Sequence, residues 1–184
     1  MNIDGLGCAN EGVWIFGYGS LIWRPGFVFD EKRLARVAGY ERRFCQASHD
    51  HRGTSECPGR VVTLIPVAGS FCEGMAFKLT DDIERVLQEL EIREQDGYSR
   101  VVMPLTFGDE ETATCLTWVA SDENPSWRGG EDPDVVAKII ASASGPSGSN
   151  QDYLFELERM LKQLSISDPH IEDLARAVRS RSEI

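Results

Sequence analysis

Across residues 81–94 apolar side chains recur at Ile83, Val86, Leu87 and Leu90, the spacing of one helix face. At about 100° per residue the stripe's next turn is Glu94, within roughly 30° of its centre. Glu84, Glu89 and Glu91 fall on the flanks or the outer face. One glutamate of this segment is therefore expected to point toward the core. It also sits in the last helical turn, ahead of Gly97 as a stop, where the helix dipole and desolvation both disfavour the ionised form. A carboxyl whose pKa is raised toward neutrality is what general acid–base chemistry requires. The spacing leaves a second reading open, in which Glu94 pairs with Arg93 or Arg100, or the helix end frays and the carboxylate is solvated.

A second stretch with chemical potential is WIFGYGSLIW at 14–23, an apolar run that delivers Gly17-Tyr18-Gly19-Ser20 and then turns apolar again. Glycines after a buried strand let backbone N–H groups converge on a ligand oxygen, as an anion nest or oxyanion hole. A structural turn uses the same letters. The loop lacks the lysine of a P-loop and the third glycine of a dinucleotide fingerprint, so it offers little for a nucleotide. It is not a G-x-S-x-G nucleophile elbow, which leaves Ser20 with Asp50 and His51 a poor hydrolase triad. His49 and His51 between Cys45 and Cys57 match no usual tetrahedral zinc spacing and read better as a solvated loop. No metal is expected. The glycine-rich connector SGPSGSN at 144–150 could bring Ser147, Asn150 or Tyr153 to the same site, and punctuation between two helices explains it as well.

These residues need elements to hold them. Strands are expected at 13–18, 36–47, 60–67, 71–79, 99–107 and 112–120, rich in Val, Thr and aromatics, with turns at Gly69-Ser70 and Gly108-Asp109. Beyond the helix at 81–94, one is expected at 133–143, opened by Asp132-Pro133 and stopped at Gly145-Pro146. Another spans 151–164, with Asn150 as its cap and Leu154, Leu157, Leu161 and Leu164 on one face. A short final helix starts at Asp168-Pro169. Strands first and helices later, with one helix inserted, indicate an α+β fold: a small mixed or antiparallel β-barrel-like core with flanking helices. Residues 1–184 suit a single domain, with 1–12 as an N-terminal extension and 165–184 as a C-terminal helical tail.

Composition narrows the partners. The 184 residues carry a formal net charge of −11, which leaves no general means of neutralising a nucleic acid or an anionic membrane. Five widely spread cysteines without a CxxC pair suggest reduced thiols. The opening MNIDGLGCANEG lacks a basic start and an apolar core, so it is not read as a signal peptide, and no apolar run reaches membrane-span length. A cytoplasmic location is expected.

Five ordered blocks carry a family resemblance: FGYGSLIW at 16–23, DHRG at 50–53, PGRVVTL at 58–64, REQDGY at 93–98 and SGPSGSNQDYLFEL at 144–157. In wording and order the chain resembles the ChaC family of γ-glutamylcyclotransferases, which act on glutathione, over about residues 13–164. The resemblance implies a γ-glutamylcyclotransferase-like fold, a substrate cradle at Tyr18, Gly19, Ser20 and Leu21, and Glu94 as acid/base. It implies cleavage of glutathione to 5-oxoproline and Cys-Gly without a cofactor, by attack of the γ-glutamyl amine on its own amide. Arg52, Arg60 and Tyr153 are further candidates for holding substrate carboxylates, the arginines because their forks match them. A structural ion pair or a core tyrosine accounts for these three equally well. Other γ-glutamyl amines or dipeptides as substrates, or a non-enzymatic regulator of cation transport, are the alternative functions; protein partners are left unassigned. Where family members often carry a different wording after an Asn-Pro, this chain has Asn124-Pro125-Ser126-Trp127-Arg128-Gly129-Gly130, a departure that bears on preference among γ-glutamyl compounds.

Overall fold

The computed structural model describes residues 12–94 and 96–182; apart from Gly12, the expected N-terminal extension lies outside them. β1 (Val13–Gly17) follows the apolar run, and a short 3-10 turn (Ser20–Ile22) comes straight after it. β2 (Glu31–Ser48), β3 (Gly59–Leu79), β4 (Tyr98–Phe107) and β5 (Thr112–Ala120) close a barrel with β1, in the order β1-β3-β2-β4-β5. β1 runs antiparallel to β3, with Ile15 opposite Phe77, and parallel to β5, with Ile15 opposite Leu116, so the sheet is mixed. The helices are α1 (Ile83–Arg93), α2 (Pro133–Ser142), α3 (Asn150–Gln163) and α4 (Pro169–Ser182). The expected α+β barrel with flanking helices is the observed architecture.

Several boundaries differ from the sequence expectations. The two strands at 60–67 and 71–79 are one, because Gly69 adopts φ +82° inside β3 and no hairpin closes there. A left-handed glycine within a strand marks a bulge or bend. β2 starts at Glu31, earlier than expected, and also accommodates a left-handed glycine, Gly39. α1 begins at Ile83, since Asp82 is left-handed at φ 52° and cannot continue a helix. The cap of α3 is Ser149, whose hydroxyl accepts from the Asp152 N–H, and Asn150 is instead its first helical residue. The glycine-rich connector is a miniature ribbon of β6 (Ser144–Gly145) and β7 (Gly148–Ser149). The final helix is not short: it spans 14 residues and buries Ile171, Leu174, Ala175 and Val178, so 165–182 is part of a core rather than a tail.

The chain forms two compact units. One takes the residues up to Glu41 with Leu64–Val119, the other Arg42–Thr63 with the residues from Ala120 on; β2 and β3 contribute to both. In the first, Val13, Ile15, Leu21, Leu79, Val86, Leu87, Leu90, Leu116 and Trp118 form one apolar cluster, so the inner face of α1 lies against β1, β5 and the turn after β1. In the second, α2, α3 and α4 pack on one another through Val136, Ala137 and Ile140, through Leu154, Leu157 and Leu161, and through the buried face of α4.

Glu158 falls on the inward stripe of α3 and is almost wholly buried. Lys162 Nζ reaches its carboxylate at 2.7 Å, and Arg179 of α4 grips both oxygens. The hydrogen bond from Arg179 is the main cause of a pKa held below the usual carboxylate value, against the opposing effect of burial. A depressed carboxyl pKa contributes stability above the unfolded pKa near 4.5, and that contribution is lost as pH falls through the lower folded value. Glu158→Gln is expected to lower unfolding free energy at pH 7 by about 1.5–3 kcal/mol, the size of a hydrogen bond to a charged group. The deficit against wild type should shrink in denaturant titrations below pH 4.5.

Candidate active site

The first unit brings the turn after β1 together with the end of α1. Close backbone approach fixes the strand end: a Cβ at Gly74 would lie 2.4 Å from the Gly17 carbonyl oxygen, and one at Gly17 would lie 2.7 Å from Leu21 Cβ. Tyr18 is buried, and its hydroxyl donates to the Trp118 carbonyl at 2.6 Å, so its side chain ties the turn to β5. Leu21 is buried in the apolar cluster with Val86, Leu87 and Leu90. The turn itself closes by Ile22 N–H to Gly19 O at 3.0 Å and Arg24 N–H to Ser20 O at 2.8 Å. No side chain caps its start at Gly19.

Glu94 is the C-cap of α1, its N–H bonded to Leu90 O at 2.9 Å, and its side chain is 20% exposed. The expected inward glutamate is thus half-buried at the helix end, one residue past the last helical turn. Of the two arginines considered as partners, Arg93 is the one beside it, with Nε 3.5 Å from Glu94 Oε1; Arg100 pairs with Glu91 at 3.1 Å. Arg93 also donates from Nη2 to Ser20 Oγ at 2.8 Å and from Nη1 to the carbonyl oxygens of Arg24 at 2.8 Å and Pro25 at 3.0 Å. The sequence reading treated Arg93 only as a partner for Glu94 and missed its grip on the turn. Its place in REQDGY was the one available signal.

Arg52, Arg60 and Tyr153 form a separate group in the second unit. Arg60 is buried, and its guanidinium meets Glu131 in a fork, Nε at 2.7 Å and Nη2 at 2.8 Å, with Nη1 donating to the Gly59 carbonyl at 2.9 Å. That arrangement commits the fork to Glu131. Asn150, fully buried, accepts from Arg60 N–H at 2.6 Å and donates to Arg60 O at 2.7 Å, completing the backbone pairing of β3 with a side-chain amide. Arg52 is half-buried, with Nη1 donating to Ser149 O at 3.2 Å and its guanidinium 5.5 Å from the Tyr153 ring centroid. Backbone-on-backbone packing sets the β6–β7 ribbon, since a Cβ at Gly145 would lie 2.5 Å from the carbonyl oxygens of both His51 and Gly53. His51, half-exposed, contacts Ser147 Oγ at 3.2 Å and lies 3.7 Å from Asp50 Oδ2, while Ser20 Oγ accepts from Arg93.

A family model described as ChaC-like protein matches residues 13–181. The chain belongs to the ChaC family. Among ChaC-type relatives, Gamma-glutamylcyclotransferase 2-3 of Arabidopsis thaliana is 42% identical over 176 residues, covering 91% of this chain and 88% of that protein. The glutathione-specific gamma-glutamylcyclotransferase of Schizosaccharomyces pombe is 38% identical, over 93% of this chain and 94% of its own. A yeast γ-glutamyl cyclotransferase specific to glutathione, solved as selenomethionine protein, superposes with a TM-score of 0.87 at 28% identity, covering 93% and 97% of the two chains.

Residues 124–130 lie along the end of β2. Gln46 and Asn124 exchange amide hydrogen bonds at 3.2 Å, Arg128 N–H donates to Cys45 O at 2.8 Å, and Trp127 folds over Gly129, where a Cβ would lie 2.4 Å from the indole nitrogen. Cys45, Cys57, Cys72 and Cys115 are free thiols, and burial pushes Cys45 and Cys115 up to about 12, which removes them as nucleophiles. The Asn150–Arg60 pairing sets the expected cost of breaking this framework. Asn150→Ala orphans a buried N–H and a buried C=O, and should lower unfolding free energy by about 2–4 kcal/mol in denaturant titration.

Proposed function

We propose that this protein is a glutathione-specific γ-glutamylcyclotransferase, releasing 5-oxoproline and Cys-Gly. The observation that carries the reading is a half-buried carboxylate, Glu94, held through one arginine beside the turn of the GYGSL block, in a chain of the ChaC family. The relatives named for glutathione specificity give the substrate.

The reaction is intramolecular. The α-amino group of the γ-glutamyl unit attacks its own γ-amide carbon and closes a five-membered ring; the amide C–N bond breaks and the amine of Cys-Gly departs. Glu94, as carboxylate, takes a proton from the attacking nitrogen and delivers one to the leaving nitrogen, so the site ends each cycle as it began. Because both reacting atoms belong to the substrate, the chemistry calls for no enzyme nucleophile and no cofactor. The protein's share is to fold a flexible peptide into its near-attack shape, which is worth several kcal/mol of barrier. The N–H groups of Gly19, Ser20 and Leu21 face this task, either toward the tetrahedral oxygen or toward a substrate carboxylate. Tyr18 and Leu21 serve through their side chains by anchoring that turn. Arg52, beside Tyr153, is the carboxylate holder we retain; Arg60 contributes through its buried pair with Glu131. The free thiols, together with helices none of which, among the described residues, is long and apolar enough to cross a membrane, favour the cytoplasm as the place of work.

Glu94→Gln keeps the shape and removes the titratable group. It should unfold at the wild-type temperature while 5-oxoproline release from glutathione falls by about 10²–10⁴-fold, the usual share of general acid–base catalysis. Near-wild-type turnover would remove Glu94 from the mechanism. Glutathione disulfide and γ-glutamyl-alanine in parallel assays separate the readings: product from γ-glutamyl-alanine but not from glutathione identifies a different γ-glutamyl substrate, and no product from any of the three favours a non-enzymatic regulator.

A further inference from the structure

We infer that Arg93 is the positioning residue of this site, a clamp that sets the turn after β1 and the Glu94 carboxylate at one fixed separation. The inference rests on the cyclotransferase reading for its catalytic consequence and on geometry alone for the clamp. Each nitrogen of the guanidinium has a different task. Nη1 donates to two successive carbonyl oxygens just beyond the turn, Arg24 at 2.8 Å and Pro25 at 3.0 Å. Nη2 donates to Ser20 Oγ inside the turn at 2.8 Å. Nε faces Glu94 Oε1 at 3.5 Å. One rigid plane therefore holds both ends of the turn and the carboxylate at once.

The residue type follows from that division. A planar fork spreads its donors over three nitrogens in fixed directions, whereas a lysine gathers three donors on one atom at the end of a flexible stem. Lysine could meet Ser20 or Glu94 but not both while also bridging two carbonyls. The position follows as well: Arg93 is the last residue of α1, where a cation suits the helix dipole and where the side chain leaves the helix alongside Glu94. Leu21 sets the turn against α1 through the apolar cluster, but apolar packing is non-directional and does not fix the angle of an amide relative to a carboxylate. Directional bonds from a single group do. A displacement of about 1 Å between reacting groups can cost on the order of 10²-fold in rate.

The test uses the full chain with Arg93→Ala and Arg93→Lys. Amide hydrogen exchange is followed at Ile22, Trp23 and Arg24, with Ile15 and Phe16 in β1 as internal reference. In both variants exchange at the turn should rise by about 10-fold or more while the β1 amides stay unchanged. Release of 5-oxoproline should fall by about 10²-fold, mainly in kcat. Added guanidinium ion should restore Arg93→Ala by roughly 10-fold or more, and methylammonium should not, since only the former reproduces the fork. Turn exchange that ignores Arg93 overturns the clamp whatever the activity. Equal rescue by methylammonium, or wild-type kcat in Arg93→Lys, reduces the residue to a charge and overturns the role of the fork. A wild-type chain that releases no 5-oxoproline from glutathione while turn exchange still responds overturns the catalytic role together with the reading it rests on.

Discussion

The first unit depends on the register of β1. This five-residue strand is paired on both sides, antiparallel with β3 and parallel with β5, so it cannot slip without breaking two ladders. Its last residue, Gly17, lies where Gly74 must bring β3 within a methyl group's reach of the carbonyl, and where Leu21 Cβ leaves no room for a side chain. The register therefore sets where the chain turns, and the turn sets where Leu21 enters the core. Leu21 in turn packs against Val86, Leu87 and Leu90, which fixes α1 along its axis and hence the place of its last residue and of Glu94. A carboxylate more than seventy residues away in sequence is thus located by the register of one strand.

The second unit solves a different problem, that of irregular backbone in a buried setting. Where β3 begins, a neighbouring strand does not complete the pairing of Arg60; the Asn150 amide does, with one donor and one acceptor matched to the backbone. Phe44 N–H finds His170 Nε2 at 3.1 Å, and the buried Arg42 finds Asp168 at 2.6 Å at the start of α4. The Asn150 and His170 side chains thus stand in for backbone partners, Asp168 instead neutralises a buried guanidinium, and each joins a strand residue to a helix start. Gly145 of the β6–β7 ribbon lets backbone lie directly on the backbone of His51 and Gly53.

What the sequence made legible was periodic. The buried run at 13–17, the α1 stripe and the face of α3 follow from the placing of apolar residues, α2 follows from its Asp132-Pro133 start, and Glu94 stood out because it continued a repeat. What it hid was aperiodic and non-local. Gly69-Ser70 reads as a turn because local letters do not say whether a left-handed glycine closes a hairpin or bends one long strand. Asn150 reads as a cap because Asn commonly is one, and only the approach of Arg60 from ninety residues earlier shows its amide to be a backbone surrogate. The buried face of α4, by contrast, was legible, since Ile171, Leu174, Ala175 and Val178 have helical spacing that the short expected helix left unused.

The pair Arg93-Glu94 bears on two opposed readings of the sequence. Read as a sequence, an arginine next to a candidate acid argues for a structural ion pair and against catalysis. The geometry does not force that choice, because Nε of the guanidinium faces the carboxylate at 3.5 Å while Nη1 and Nη2 donate to the turn. An arginine bound fully to the carboxylate would hold it as a permanent anion and occupy the oxygens that must exchange protons. An arginine that divides its donors between the turn and the carboxylate orients the one against the other. The same two letters can thus describe a structural pair or a working one, and the geometry that bears on the choice depends on the seventy-residue gap between Ser20 and Arg93 that the fold closes.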